Sequence, residues 1–482
     1  MGRIAALLSR TGGDVSRTLQ RMMEASDGLR GDAYGVATHA GAYISYTTPP
    51  WGRLPAEALL GHVSTKISCL DPPQPVHQHG YAVTFEGRIW DAPGKPEFLE
   101  AMDTLGPSPA EGVGGLISSV NGAFAVAALE KDKLTLGRDP VGATPLYVGE
   151  SPSLVGAASS IKMLWAAGLE ATNLPPGHMA ELTRGGISFT LVRKINRPNT
   201  RVTSMEEAVD QIEGLLRGSV EARSRGLHRA ALGFSGGIDS SLLAYFLDRA
   251  GVEVELICVG VEGSEFEAAE TAADHLDLPL SIEAYTEQDV EGALDRVLWS
   301  IEEPDPMKTA VATPLLWTAS KAVDLGVRVL FSGNGSDELY GGYMRHLQEY
   351  LERGDAVTGS LLRDVRASHA VNYERDQKVC ADSGIELRLP YADLPLIEYG
   401  LSIHPDLLFP RDPGTPRKRA LRALAGRLGF PEEMVGRRKR AIQYSTGVSK
   451  ALTKIAKRDG QRLPEYLSTR FDHIKRERLE GV

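Results

Sequence analysis

The chain reads as α/β, with a sheet-rich layered domain followed by a doubly wound parallel sheet, and three features predict this. Short apolar runs at 229–234, 254–260 and 327–331 have the length of buried strands. Helical spacing follows them, as in 241–249 and from about 265 to 276, and such alternation points to a parallel sheet whose ligands lie outside the strands' C-terminal ends. Earlier in the chain, segments such as 80–85 and 122–128 are β-rich, with a helical piece near 15–26.

The joint falls where Asn196, Pro198, Asn199 and Thr200 make a polar, proline-containing linker. Ser204 followed by Glu207 then has the form of a capping box ahead of a helical run at 208–223. The expected domains are 1–195 and 204–482.

The strand at 229–234 runs into SGGIDSS at 235–241, a small-residue turn at a helix N-terminus. Free backbone N–H groups and the positive helix end favour phosphate there, and Gly236 and Gly237 let a ligand approach the main chain. Asp239 would repel a bare phosphate, so it implies a bridging divalent cation, Mg²⁺ by its preference for oxygen ligands. No GxxxxGK[ST] sequence occurs, which points to cleavage between the α and β phosphates. The bland alternative is a Ser/Gly helix cap. A second loop, SGNGSDELYGGY at 332–343, follows the strand at 327–331 and carries Asp337 and Glu338. In a parallel sheet the two loops meet.

With both loops in view, the chain resembles the asparagine synthetase family of ATP-dependent amide-forming ligases, which includes the β-lactam synthetases. The motifs are the two loops, GIELRLPYAD at 384–393, Arg138, Asp139, Gly142, Pro145, Leu146 and Tyr147, and LPPGH at 174–178. The resemblance implies an N-terminal Ntn-hydrolase-like αββα sandwich of the type 2 glutamine amidotransferase kind. It also implies a PP-loop ATP pyrophosphatase domain, adenine nucleotide alpha hydrolase-like, with a helical C-terminal part. A carboxylic acid, aspartate above all, would be adenylated by ATP, and ammonia would displace AMP.

By family position, Ser235, Gly236, Gly237 and Ser240 cradle pyrophosphate, while Phe234, Val259, Ser332 and Gly333 line adenine and ribose. Asp239 and Asp337 hold Mg²⁺. Lys439 matches an essential lysine, and the other basic residues of 417–419 and 437–440 read as a solvated face. Where asparagine synthetases have glutamate and β-lactam synthetases tyrosine, this chain has Asn334, whose amide is no base. Glu374 falls where the β-lactam synthetases carry a catalytic glutamate and is expected to take the proton from the attacking amine.

The first domain departs from the family. Glutamine-using members begin the mature chain with cysteine; removal of Met1 would expose Gly2, which has no nucleophile. Cys69 is internal and expected to be a small buried hydrophobe. Ser64, Glu86 and Arg88 stand at rewritten glutamine-gripping positions. The domain is therefore expected to be glutaminase-inactive.

Composition is that of a globular protein, 482 residues with 42% apolar and 24% charged. The net charge of −10 argues against a nucleic-acid partner. Three separated cysteines suit a reducing compartment, and no apolar run spans a membrane, so a cytoplasmic enzyme is expected. The family resemblance also allows a homodimer. His77 and His79 lack an evident third ligand and read as a surface loop. Beside asparagine synthesis stand amidation or cyclisation of another carboxylic acid, favoured by Gly2 and Asn334, and a PP-loop enzyme modifying transfer RNA. A catalytically dead binding protein is disfavoured by Asp239, Asp337 and Lys439.

Overall fold

A computed structural model describes residues 2–26, 31–67, 71–91, 97–262, 264, 266–412, 414–437 and 446–481. The chain divides into two compact units, Met1–Lys194 with Asp472–Val482, and Ile195–Phe471. The last residues thus group with the first unit, not with the rest of 204–482, and Lys475 Nζ lies 3.7 Å from the centre of the Trp165 ring. The polar stretch after Lys194 is tied down: Arg366 donates to Ile195 O at 2.9 and 2.7 Å and to Asn196 Oδ1 at 2.9 Å. Among the described residues no helix is long and apolar enough to cross a membrane.

Described strands of the first unit form two antiparallel sheets. One runs Glu170–Asn173, Tyr147–Glu150, Leu154–Ala158, Arg3–Ser9, Ala58–Ser64, Ala33–Thr38, Gly41–Ser45. The other runs Gly186–Leu191, His178–Thr183, Lys133–Arg138, Gly122–Leu129, Tyr81–Ile89, Val76–Gln78. Strand Arg3–Ser9 shows why layers stack, because its apolar side chains alternate and both faces need cover. Ile4, Ala6 and Leu8 pack between the sheets with Leu60, Ala125 and Leu136. Ala5 and Leu7 face outward onto Leu19, Met22 and Met163 of helices Ser16–Glu24 and Ile161–Ala166. Leu105, Val113 and Leu116 of helices Glu97–Leu105 and Pro109–Ser119 cover the other sheet. The result is the αββα sandwich that was expected.

The second unit holds a parallel sheet in the order Leu280–Tyr285, Glu253–Val261, Arg229–Gly233, Val329–Phe331, Glu386–Arg388. Strand order reverses between Arg229–Gly233 and Val329–Phe331, which makes the crevice beyond their C-terminal ends the binding position of such a fold. Helix Met205–Ser224 starts with Ser204 Oγ accepting from Glu207 N–H at 3.3 Å. Its far end is pinned by a buried ion pair, Arg223 Nη1 to Asp393 Oδ1 at 2.8 Å, and by Ser219 Oγ donating to Pro390 O at 2.8 Å. These contacts fix the segment at 390–393, which reaches the crevice.

One buried group in the first unit makes stability depend on pH. His62, 2% exposed on Ala58–Ser64, has Nδ1 3.0 Å from Ser64 Oγ. Its Nε2 finds no hydrogen-bond partner among the described residues, and burial pushes its pKa down from 6.5 to about 3. The ring is neutral in the fold and protonates in the unfolded chain. Its contribution is therefore whole above pH 6.5 and is lost as the pH falls toward 3. In full this is on the order of 5 kcal/mol. Acid unfolding followed by circular dichroism should show this loss, and His62→Gln should flatten the slope across that window.

Candidate active site

Two loops meet at the switch point. Phe234 still pairs with the sheet, its N–H donating to Ile257 O at 2.8 Å, so the chain leaves the sheet at Ser235. Gly236 has φ +65°, and a Cβ there would lie 1.9 Å from Ala268 O, so turn and space both demand glycine. The helix is Ile238–Arg249, starting three residues earlier than the spacing at 241–249 predicts, because Ser241 N–H reaches Gly237 O at 3.0 Å. Asp239 and Ser240 are thereby in its first turn. Ser235 is exposed, and its Oγ accepts from Gly237 N–H at 3.4 Å.

The second loop leaves Val329–Phe331 at Ser332, whose N–H donates to Arg388 O at 3.2 Å. Gly333 touches the first loop, since a Cβ on it would be 3.2 Å from Asp239 Cβ. Short helix Ser336–Leu339 then carries Asp337 and Glu338. Val259 is buried on Glu253–Val261, near the C-terminal end of that strand.

A residue that sequence reading set among the solvated basic ones joins the loops. Lys418 is 2% exposed; its Nζ lies 2.7 and 2.6 Å from the two carboxylate oxygens of Asp239 and 2.8 Å from Asp337 Oδ1. It also donates to Ser336 Oγ at 3.0 Å, while Ser336 Oγ donates to Asp239 Oδ1 at 2.9 Å. Arg417 and Arg422 add positive charge nearby, the first interacting with Asp337 and the second with Asp239. Lys418 adopts φ +62°, a conformation costly for a side chain with a Cβ, to place its ammonium there. Tyr391 donates to Asp239 O at 3.1 Å, and burial pushes its phenol well above its ordinary pKa. Its place in the GIELRLPYAD segment was a usable signal; nothing in the run 417–419 singles out Lys418 from its neighbours.

Lys439 lies outside the described residues. The flanks of its segment are placed: Arg437 O accepts from Arg422 Nη2 at 2.8 Å, and Thr446 O accepts from Val261 N–H at 2.8 Å. Burial lowers the Arg422 pKa, with Asp239 opposing the shift.

Glu374 begins helix Glu374–Asp382, directly after a π-helical turn, His369–Tyr373. This element lies along the second loop. Asn334 Nδ2 donates to Asp376, and Asn372 Nδ2 to Glu338 Oε1 at 2.7 Å. The buried Asp376 has its pKa raised by desolvation, with Arg375 and Asn334 pulling the other way. Asn334 is thus a structural donor, a role its sequence position did not suggest.

In the first unit the polar positions are engaged among themselves. Glu86 Oε2 accepts from Ser159 Oγ at 2.8 Å, and Arg88 forks onto Asp71 at 2.7 and 3.0 Å. A Cβ on Gly2 would lie 2.2 Å from His62 Nε2. Asp139 accepts N–H bonds from Val141, Gly142 and Ala143 at 3.0, 2.7 and 3.1 Å, so the RDPVG motif is a loop staple. His77 Nε2 contacts His39 O at 2.6 Å, and Cys69 lies outside the described residues.

A crevice at a parallel-sheet switch point, entered by a glycine turn on a helix N-terminus, has the form of a nucleotide-binding site. The asparagine synthase family model matches residues 211–358 and 349–481, and a glutamine amidotransferase domain model matches 67–166. A putative glutamine-hydrolyzing asparagine synthetase 1 of Methanocaldococcus jannaschii is 31% identical over 73% of this chain and 74% of that protein. Asparagine synthetase [glutamine-hydrolyzing] 2 of Arabidopsis thaliana is 28% identical over 84% and 74%. A solved structure titled as the allosteric regulatory enzyme of purine biosynthesis overlaps 59% of this chain and 80% of its own at 12% identity, with a TM-score of 0.36. The chain belongs to the asparagine synthetase family and is an ATP-dependent carbon–nitrogen ligase that forms AMP and pyrophosphate.

Gly342 has no spare room: a Cβ on it would fall 1.7 Å from Asp337 Oδ1 and 2.5 Å from Lys418 Cε. Gly342→Ala should displace that carboxylate and slow AMP release about 100-fold. A coupled AMP assay on the folded variant checks this.

Proposed function

We propose that the chain adenylates the side-chain carboxylate of aspartate and joins it to free ammonia, giving asparagine. The observation that carries the reading is the pair Asp239 and Asp337, brought to one ammonium at the switch point. Ser235, Gly236, Gly237 and Ser240 would hold the pyrophosphate portion of ATP. Phe234, Val259, Ser332 and Gly333 would border adenine and ribose.

The donor set suits Mg²⁺. Two carboxylates already gather round one cation, and Mg²⁺ is usually held by one or two carboxylates with phosphate oxygens completing its shell. No group of three or more His, Cys, Asp or Glu that could hold a metal occurs among the described residues, so phosphate would supply the rest. When bound, the ion neutralises charge building on the pyrophosphate. Lys418, whose ammonium lies between the carboxylates, and Lys439 would both supply positive charge to the same transition state. Glu374 accepts the proton of the attacking amine.

Ammonia, not glutamine, is the donor in this reading. Its support is the engagement of Glu86, Arg88 and His62 with neighbours of their own unit and the crowding at Gly2. A second reading, amidation or cyclisation of a different acid, draws on Asn334, which serves Asp376 and presents no carboxylate or phenol.

Incubation with Mg-ATP and aspartate, adding ammonium or glutamine, tests the reading by mass spectrometry of AMP and asparagine. Asparagine with ammonium alone is expected; asparagine from glutamine would overturn the ammonia assignment, and no product from either would shift the substrate to another acid. Lys418→Met should slow AMP formation by about 10²–10³-fold, measured by pyrophosphate release under saturating Mg-ATP.

A further inference from the structure

We propose that His369 is the positioning residue of the amide-forming step, holding Glu374 as one half of a His–Glu dyad that takes the place of any partner at residue 334. The inference rests on the reading of Glu374 as proton acceptor.

Backbone geometry builds the pair. Residues five apart on an α-helix point about 140° from one another, at 3.6 residues per turn, so a ring and a carboxylate so spaced do not meet. Here the turn is widened: Glu374 N–H donates to His369 O across the π turn His369–Tyr373. His369 Nδ1 then lies 3.1 Å from Glu374 Oε1. Such π turns are rare and recur at functional sites. Both side chains are largely shielded, 17% exposed for the ring and 10% for the carboxylate, so the contact is formed away from bulk water.

Location supports the role. The same element meets the Asp337 loop through Asn334 with Asp376 and Asn372 with Glu338, and a Cβ on Gly335 would be 2.8 Å from the Tyr373 hydroxyl. Asn334 is spent on Asp376, whereas His369 reaches Glu374 itself. An ionised carboxylate only accepts, so Nδ1 carries the proton in this contact.

The step balances as follows. The amine lone pair forms the C–N bond to the acyl carbon, and the C–O bond to AMP breaks with its electron pair leaving on the phosphate oxygen. The surplus N–H proton passes to the Glu374 carboxylate. His369 keeps that carboxylate oriented until the proton arrives.

The test compares ATP–pyrophosphate exchange, which reads adenylation of aspartate, with asparagine formation from aspartate and ammonium. His369→Ala should lower asparagine formation about 100-fold and leave exchange within about twofold. His369→Asn, whose amide N–H can stand where Nδ1 stood, should restore most of the rate, and His369→Gln should not. Exchange falling in step with product, Asn and Gln behaving alike, or His369→Ala keeping its rate would each overturn the dyad. Glu374→Gln separates the two levels: if it still makes asparagine, the base assignment falls and the dyad with it; if it is inactive while His369→Ala is active, the dyad alone falls. The pairing is also read without substrate, by ¹⁵N NMR of histidine-labelled protein at fixed pH. Glu374→Gln should move one imidazole resonance, the one missing from His369→Asn, and an unmoved spectrum would remove the pairing.

Discussion

The buried ammonium of Lys418 between Asp239 and Asp337 is the constraint on which the second unit's crevice depends. Two carboxylates about 4 Å apart repel by roughly 4 kcal/mol at the effective dielectric of a protein surface. A cation must therefore stand between them whenever the loops are close. Glycine at 342 keeps the space, the left-handed backbone at Lys418 aims the side chain, and Tyr391 holds the carbonyl of Asp239 from the opposite segment. Each is explicable as service to that one electrostatic contact.

What could be read from the residues was what is local. Strand, glycine turn and helix lie within twenty residues of one another at 229–249, and the order of apolar and small residues reveals them. The second loop was legible for the same reason. Pairing across the sheet was not, since the reversal of strand order depends on contacts far apart in the chain. Two strands escaped for chemical reasons. Leu280–Tyr285 is an edge strand, half-exposed along its length, and shows no buried face. Glu386–Arg388 buries a charged pair, Arg388 Nε to Glu386 Oε1 at 2.7 Å, where the pattern asks for apolar residues. Lys418 was hidden by its neighbours, because a run of basic residues looks like a solvated face until one of them is seen to point inward.

The first unit illustrates how a frame can be built without calling on reactive groups. Its αββα layers depend on alternating apolar residues, and the RDPVG staple on one buried aspartate, neither of which involves reactive groups. Its buried polar side chains satisfy one another, as with Glu86 and Ser159 or Arg88 and Asp71. Buried polar groups that find partners cost little, so such a unit keeps its stability with these groups inside it.

The crevice is assembled from residues far apart in the chain: Lys418 lies 179 positions from Asp239 and 82 from Ser336, and Tyr391 lies 152 from Asp239. Contacts of such long range form late, after the loop-closure entropy of the intervening chain has been overcome. A partly folded chain emerging from synthesis would have its glycine turn long before its lysine. It would hold its two carboxylates without the ammonium that later stands between them.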